Sequence, residues 1–271
     1  MMQKTWQLVK IELRRKWPFV AVLLALWLSA CLALRLWLPH NYLFLTSGWE
    51  NILMLLFPPL YALIFGVATF HTSEKDGVRF FLYHHPVSRV RLYVVRYLVG
   101  FAIVAILSVV VVWLTPHLLQ MPVRSAFLGA KDFAFLLACL FIYTAGIFFS
   151  PLFATDLVAV PIAAMYCGLC GAAVALLGKL TEPDLNKPGQ SQWELLMRSP
   201  VFHLFAGLLV FVFLSGLILF SRRRILEYSW SRRSNVAAAM FCVTAIALFL
   251  VLFVDPVDLL YLVGIDLMRW R

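Results

Sequence analysis

Six histidines give this sequence its most versatile side chains, because an imidazole can bind a metal or a haem and can carry a proton near neutral pH. The predicted membrane spans separate them into two groups: His71, His84 and His85 at one end of the spans, and His40, His117 and His203 at the other. Two groups a membrane apart cannot form one site. The second group, on the outer side, could converge on a metal, a haem or a substrate headgroup, so a membrane-embedded enzyme or a haem- or metal-handling protein stays open as an alternative.

A phosphate-binding loop would give the chain ATP chemistry of its own. The pattern is Gly, four residues, Gly-Lys and then Ser or Thr. The nearest match ends at Gly178-Lys179, but Ala173 replaces the first glycine and Leu180 replaces the hydroxyl residue. The sequence also lacks the Gly-x-Ser-x-Gly and His-Glu-x-x-His patterns. We therefore predict no catalytic residue, no metal site and no cofactor bound by this chain.

The segment 71–89 combines charges and aromatic residues in an unusual way. Glu74 and Asp76 would lie in the first turn of a short helix, where carboxylates favour the positive end of the helix dipole. Pro86 disfavours helix at the residue before it, so the helix is predicted over about 73–85. It would carry an apolar ridge of Phe80, Phe81, Leu82 and Tyr83. The ridge could insert its aromatic side chains among lipid headgroups, which would make the helix interfacial. Alternatively, it could be a docking surface for a cytoplasmic partner.

The composition indicates which elements carry these residues. Of the 271 residues, 63% are apolar and 13% are charged, whereas soluble domains have about 45–50% and about 25%. This excludes an ordinary soluble protein and predicts an all-α polytopic membrane protein, because seven apolar runs are long enough to cross a bilayer as helices. Six core spans are predicted at 17–38, 50–70, 92–115, 133–149, 157–178 and 201–220, and a seventh at 236–254.

The segment before the first span has one apolar face. Met2, Trp6, Val9, Leu13 and Trp17 recur at spacings of three and four, which predicts an amphipathic cytoplasmic helix over 1–16 that lies in the membrane interface. We therefore divide the chain into this helix, a six-span domain over 17–224 with an outer loop at 179–200, and a C-terminal part over 225–271. That last part holds a basic loop, the seventh span and an interfacial tail.

The distribution of Lys and Arg predicts the orientation. Fifteen of the 23 fall on the side of the N-terminus and the other eight on the opposite side, so the N-terminus is predicted to be cytoplasmic. Seven spans then place the C-terminus outside. The net charge of +10 indicates orientation and contact with anionic lipid, with no nucleic-acid partner. The predicted membrane-surface cations are Lys10, Arg14, Arg15, Lys16, Arg222, Arg223, Arg224, Arg232 and Arg233.

A signature within 74–96 resembles that of the type-2 ABC export permeases. It consists of Glu74, Gly77, Phe81-Leu82, Pro86-Val87-Ser88-Arg89, Leu92 and Arg96, where Arg96 replaces the usual Lys. The segment 1–16 likewise resembles the elbow helix of that family. The seventh span departs from the family pattern, which ends after six spans. The pair His84-His85 departs too, because it stands where small or polar residues are common.

The resemblance implies a function as the membrane subunit of an exporter. The helix over 73–85 would be the coupling helix that docks on a separate ATPase subunit, present in two copies, which binds the ATP and Mg. The permease would pair with a second copy of itself or with a similar permease, in a bacterial inner membrane. The implied docking residues are Glu74, Asp76, Gly77, Phe80, Phe81, Leu82, Pro86, Val87, Ser88 and Arg89. A non-catalytic membrane assembly subunit is a further alternative, and the substrate is not implied.

Overall fold

In a computed structural model of the chain, the described residues are 2–37, 56–69, 88–118, 130–153, 156–180, 200–221 and 236–244. The regular secondary structure in these ranges is helical throughout. The helices are α1 (Met2–Trp37), α2 (56–69), α3 (Arg89–Leu118), α4 (Ala130–Phe149), α5 (Asp156–Leu180), α6 (Pro200–Ser221) and α7 (236–244), with a 3-10 turn at Ser150–Leu152 after α4.

Four of these helices are long and apolar enough to cross a membrane. Their qualifying stretches are Thr5–Ala33, Val90–Thr115, Phe133–Leu152 and Phe202–Leu219. Each exceeds or nearly matches the roughly 20 apolar residues that a bilayer requires. Within the described residues, α2 and α5 hold shorter apolar stretches, Leu56–Thr69 and Leu157–Ala172. The described residues are thus all-helical and include helices suited to a membrane, in agreement with the predicted class of helical membrane protein.

The N-terminal segment differs from its prediction. An interfacial helix over 1–16 and a separate first span over 17–38 are replaced by one helix of 36 residues, α1, which continues through Pro18. The predicted apolar face is exposed, as a side toward lipid would be: Trp6 and Trp17 are 59% and 69% exposed. The buried face of this half instead carries two charged residues, Glu12 and Lys16. The physical reason is that partners on other helices satisfy these charges, while lipid can cover the indole rings.

The central helix of the bundle is α4, which packs against α3, α5 and α6. It also approaches α2 closely at a pair of glycines. A Cβ built on Gly146 would lie 3.0 Å from the Leu63 carbonyl oxygen, and one on Gly66 would lie 2.5 Å from the Tyr143 carbonyl oxygen. Small residues permit such contacts between membrane helices. Ser150, just after α4, donates a hydrogen bond to the Val67 carbonyl at 2.7 Å and ties the two helices at that end.

Helices α1 and α3 run parallel and pack along their length. Near their N-termini, Leu8 clusters with Leu92 and Val95. Further along, Trp27 clusters with Val111. Both contacts fit the same alignment of α1 against α3. The group of polar residues described next lies between these two contacts.

Candidate functional site

Five residues from four helices form a buried polar group, which we call the charge cluster: Glu12, Lys16, Thr69, Arg96 and Tyr143. Glu12 and Lys16 lie one turn apart on α1 and therefore share a face. Arg96 is in α3, Thr69 is the last described residue of α2, and Tyr143 is in α4. All five are buried. Charged side chains are almost never this buried unless they are paired, so we expect partners for Glu12, Lys16 and Arg96 within the bundle.

An ion pair between α1 and α3 is the centre of the cluster. The Nε of Arg96 donates a hydrogen bond to Oε1 of Glu12 at 2.8 Å, and both side chains are 3% exposed. A short contact between ionised groups is among the stronger hydrogen bonds of proteins. Arg15 is close enough to interact electrostatically with Arg96 as well. The pair thus holds together two residues that are 84 positions apart in the sequence.

Lys16 extends the cluster from α1 to α2. Its Nζ donates to Thr69 Oγ1 and to the Arg96 carbonyl oxygen, each at 3.4 Å. The same Nζ lies 4.9 Å from the centre of the Phe65 ring, within the range of a cation–π interaction. Thr69 in turn donates to the Phe65 carbonyl at 2.7 Å, which orients its hydroxyl. One ammonium group therefore contacts both α2 and α3.

Tyr143 brings α4 into the same group. Its hydroxyl donates to the Tyr97 carbonyl at 3.2 Å. The space for that hydroxyl comes from Gly100, where a Cβ would overlap it and would lie 2.9 Å from Lys16 Nζ. The hydroxyl of Tyr97 is bonded to Thr144 Oγ1 at 3.0 Å. Four helices are thus joined by polar contacts at a single level of the bundle.

The lengths of α1 and α3 leave room for a full membrane crossing on one side of the cluster. From Lys16 to Trp37, and from Arg96 to Leu118, each helix rises about 32–33 Å at 1.5 Å per residue. The hydrocarbon core of a bilayer is about 30 Å thick. If the cluster stood at one edge of that core, the first turns of both helices would extend beyond it. Buried charges at an edge cost less than charges at the centre.

The cluster also lies where the chain enters and leaves the segment 70–87. Thr69 precedes this segment and Ser88 follows it. Ser88 caps α3: its Oγ accepts a hydrogen bond from the Arg91 amide at 3.3 Å, and its carbonyl accepts one from the Leu92 amide at 3.1 Å. Such a cap fixes where the helix begins. Any displacement of the segment 70–87 would therefore act on helix ends that the cluster holds.

The predicted docking residues lie almost entirely outside the described residues. This applies to Glu74, Asp76, Gly77, Phe80, Phe81, Leu82, Pro86 and Val87. Of the other two, Ser88 is exposed and caps α3, and Arg89 is the first residue of that helix. The docking role of these residues stays a prediction.

The predicted membrane-surface cations separate into three groups. Lys10 and Arg14 are exposed on α1, and Arg15 is half-buried. Lys16 differs from its predicted surface position: it is 8% exposed, and Thr69 Oγ1 and the Arg96 carbonyl oxygen accept hydrogen bonds from its ammonium group inside the bundle. The rest, Arg222, Arg223, Arg224, Arg232 and Arg233, lie outside the described residues.

The outer-side histidines are described at one position. His203 is exposed on α6, with its ring beside Phe202. His117 belongs to α3, and His40 lies outside the described residues. In the ranges that the structure covers, no three His, Cys, Asp or Glu residues are grouped as a metal site would require. Cys170 is buried in the core that α4 and α5 form.

Sequence reasoning missed the role of Glu12, Thr69 and Tyr143. One signal was available for Glu12: it stands four residues before Lys16, between Leu8 and Val20, all on one helical face. Arg96 was named only as a position of the signature.

Comparison with known proteins identifies no relative: no protein-family model, no curated protein and no solved structure matches this chain.

Proposed function

We propose that this chain is the transmembrane permease subunit of an ABC exporter of the type-2 kind. It would move an unidentified substrate across a bacterial inner membrane with ATP hydrolysed by a separate ATPase subunit. Two permease chains, identical or similar, would form the path, and each would dock one ATPase through the coupling helix over 73–85. ATP and Mg would bind to the ATPase, and this chain would catalyse no reaction.

The observation that supports this proposal is the position of the charge cluster. The signature residues 74–96 resemble those of the exporters, and their last member, Arg96, is the residue that pairs with Glu12. The cluster contacts both Thr69, before the segment, and the first turns of α3, after it. Such an attachment suits a segment that receives force from a partner, because hydrogen-bond networks, packed side chains and rigid helices carry coupling between sites.

The mechanism follows from a two-state equilibrium biased by a partner. When ATP closes the two ATPase subunits, they would pull the coupling helices. Each coupling helix would displace the end of α2 and the start of α3. Both of these helices pack against α4, so the displacement would reach the centre of the bundle and reshape the path between the two permeases.

The proposed topology has seven spans. Four of them are the long helices. The spans over 50–70 and 157–178 contain the described helices α2 and α5. The span over 236–254 begins with the described helix α7. The N-terminus and the segment 70–87 would be cytoplasmic, and the C-terminus would be outside. This orientation exposes the docking residues to an ATPase in the compartment where ATP is available.

Site-specific photo-crosslinking in intact cells tests the proposal. A benzophenone amino acid at Phe81 should capture a protein that mass spectrometry identifies as a phosphate-loop ATPase. The same probe at Phe202, near the start of α6 and on the opposite side of the predicted membrane, is the matched control and should not capture it. Capture of no ATPase from Phe81, with the chain inserted at normal levels, would contradict the docking role.

A further inference from the structure

We infer that Glu12 and Arg96 are positioning residues that lock the register of α1 against α3. As a result, the first half of α1 moves as one body with α3. The lock itself stands on the contacts of the charge cluster alone. The joint movement during transport rests on the proposed function.

The first argument is that the pattern of charges penalises sliding. If α1 slid by one turn in one direction, Lys16 would take the place of Glu12 beside the Arg96 guanidinium, and two cations would meet in a buried setting. If it slid in the other direction, Leu8 would face Arg96, and the Glu12 carboxylate would lose its partner. Buried charges without partners are costly, so both displaced registers are disfavoured.

The second argument is that apolar packing alone leaves the register weakly defined. On either side of the cluster, α1 meets α3 through aliphatic residues, with Leu8 near Leu92 and Val95. Aliphatic side chains in a lipid environment gain little from one partner over another, because lipid tails are equally apolar. A polar residue at one position is a well-attested way to fix the register of packed helices.

The third argument is that the lock reaches the neighbouring helices. Lys16 bonds to Thr69 of α2 and to the backbone of α3, and the Tyr143 hydroxyl of α4 bonds to the backbone of α3 one residue further on. The first half of α1 is therefore anchored at the base of the segment 70–87. The first half of α1 is therefore packed into the bundle and is more than a helix at the membrane surface.

Paired cysteines measure the register directly. In a full-length chain whose five native cysteines are replaced, Leu8→Cys with Val95→Cys reports the observed register. Leu8→Cys with Val99→Cys reports a register displaced by one turn, about 6 Å further along α3. We expect oxidative cross-linking of the first pair to exceed that of the second at least tenfold. We expect Glu12→Leu combined with Arg96→Leu to reduce this ratio at least threefold, in chains that still insert into the membrane.

Conservative variants separate a register lock from a general loss of packing. Arg96→Lys keeps the cation and should preserve the cross-linking ratio, whereas Arg96→Met keeps the length without the charge and should lower it. Arg14→Gln removes an exposed cation from the same helix and is the matched control. A ratio that does not change in Glu12→Leu/Arg96→Leu would overturn the lock.

The functional half of the inference has its own test. If α1 and α3 move as one body, a disulfide introduced by Leu8→Cys with Val95→Cys should leave the ATP hydrolysis rate of the purified complex within twofold of the reduced form. A loss of tenfold or more on oxidation, reversed by a reductant, would overturn the joint movement. If no ATPase copurifies with the chain, the proposed function fails, and the cross-linking ratio still decides the register lock.

Discussion

Arg96 in α3 donates a hydrogen bond to the carboxylate of Glu12 in α1 at 2.8 Å, with both side chains buried. The pair joins the N-terminal helix to the helix that follows the segment 70–87. Lys16, one turn further along α1, extends the contact to the end of α2. This part of the bundle is therefore held by charge and not by apolar packing alone.

Removing one member of the ion pair should destabilise the protein strongly. Glu12→Gln or Arg96→Met would leave the other charge buried without its partner, which typically costs about 3–5 kcal/mol. Thermal unfolding of the purified protein in mild detergent measures the effect. Lys10→Gln and Arg14→Gln remove exposed cations from the same helix and should change stability by no more than about 0.5 kcal/mol. Equal effects in both sets of variants would contradict the role given to the pair.

The contact between α2 and α4 should be sensitive to a single methyl group. Gly66→Ala would place a Cβ 2.5 Å from the Tyr143 carbonyl oxygen, which belongs to the backbone and cannot turn away. We expect a loss of about 1–3 kcal/mol, as for other overpacked contacts. Gly168→Ala is the matched control, because nothing lies within 4 Å of its Cβ, and it should be neutral or stabilising by up to about 1 kcal/mol.

A similar contact between α3 and α6 can be tested with a double-mutant cycle. A Cβ at Gly216 would overlap the Tyr93 hydroxyl, while the nearest ring carbon would remain at 3.2 Å. Gly216→Ala should therefore destabilise the protein by about 1–3 kcal/mol. In a Tyr93→Phe background the same substitution should cost less than half as much, because the overlapping oxygen is gone. Additive effects of the two substitutions would show that the helices do not meet in this way.

Helix positions were predictable from the sequence, whereas the residues that are buried between the helices were not. The bounds of α3, α4, α5 and α6 differ from the predicted spans by three residues or fewer, because long apolar runs must form helices in a membrane. On α1, Trp6 and Trp17 are exposed, as expected for a side toward lipid, but the sequence did not indicate that Glu12 is buried against the other helices. Lipid and protein are equally apolar surroundings, so hydrophobic periodicity does not distinguish a lipid-facing side from a packed one.

The charge cluster was only partly visible in the sequence for a related reason. Arg96 could be noted because a charge within an apolar run is expensive and usually functional. Its partner Glu12 is 84 residues away, and no local pattern connects the two. Thr69 and Tyr143 look like ordinary residues of apolar helices until the fold brings them to Lys16.

The seven-span topology makes a prediction for chemical labelling. On a background without cysteines, Asn186→Cys in the predicted outer loop and Arg232→Cys in the predicted basic loop should react with a membrane-impermeant maleimide from opposite sides. The cysteine introduced at Asn186 should label in intact spheroplasts, and the one introduced at Arg232 only in inverted vesicles. Labelling of both from the same side would contradict the proposed span count.

The docking segment makes a prediction for partner binding. Glu74→Ala, and separately Phe81→Glu, should reduce recovery of the ATPase at least fivefold, because each removes an expected contact without touching the apolar spans. Glu194→Ala, in the predicted outer loop, is the matched control and should recover the ATPase at the level of the unaltered chain. Quantitative mass spectrometry of affinity-purified samples, normalised to the permease, gives the ratios. Equal recovery from all variants would contradict docking through 73–85.

The most direct test of the proposed function is affinity purification of the unaltered protein from its native membrane in mild detergent, followed by mass spectrometry. The account predicts a phosphate-loop ATPase in a one-to-one ratio with the permease chain. Absence of any such ATPase, under conditions that keep a known membrane complex intact, would contradict the exporter function.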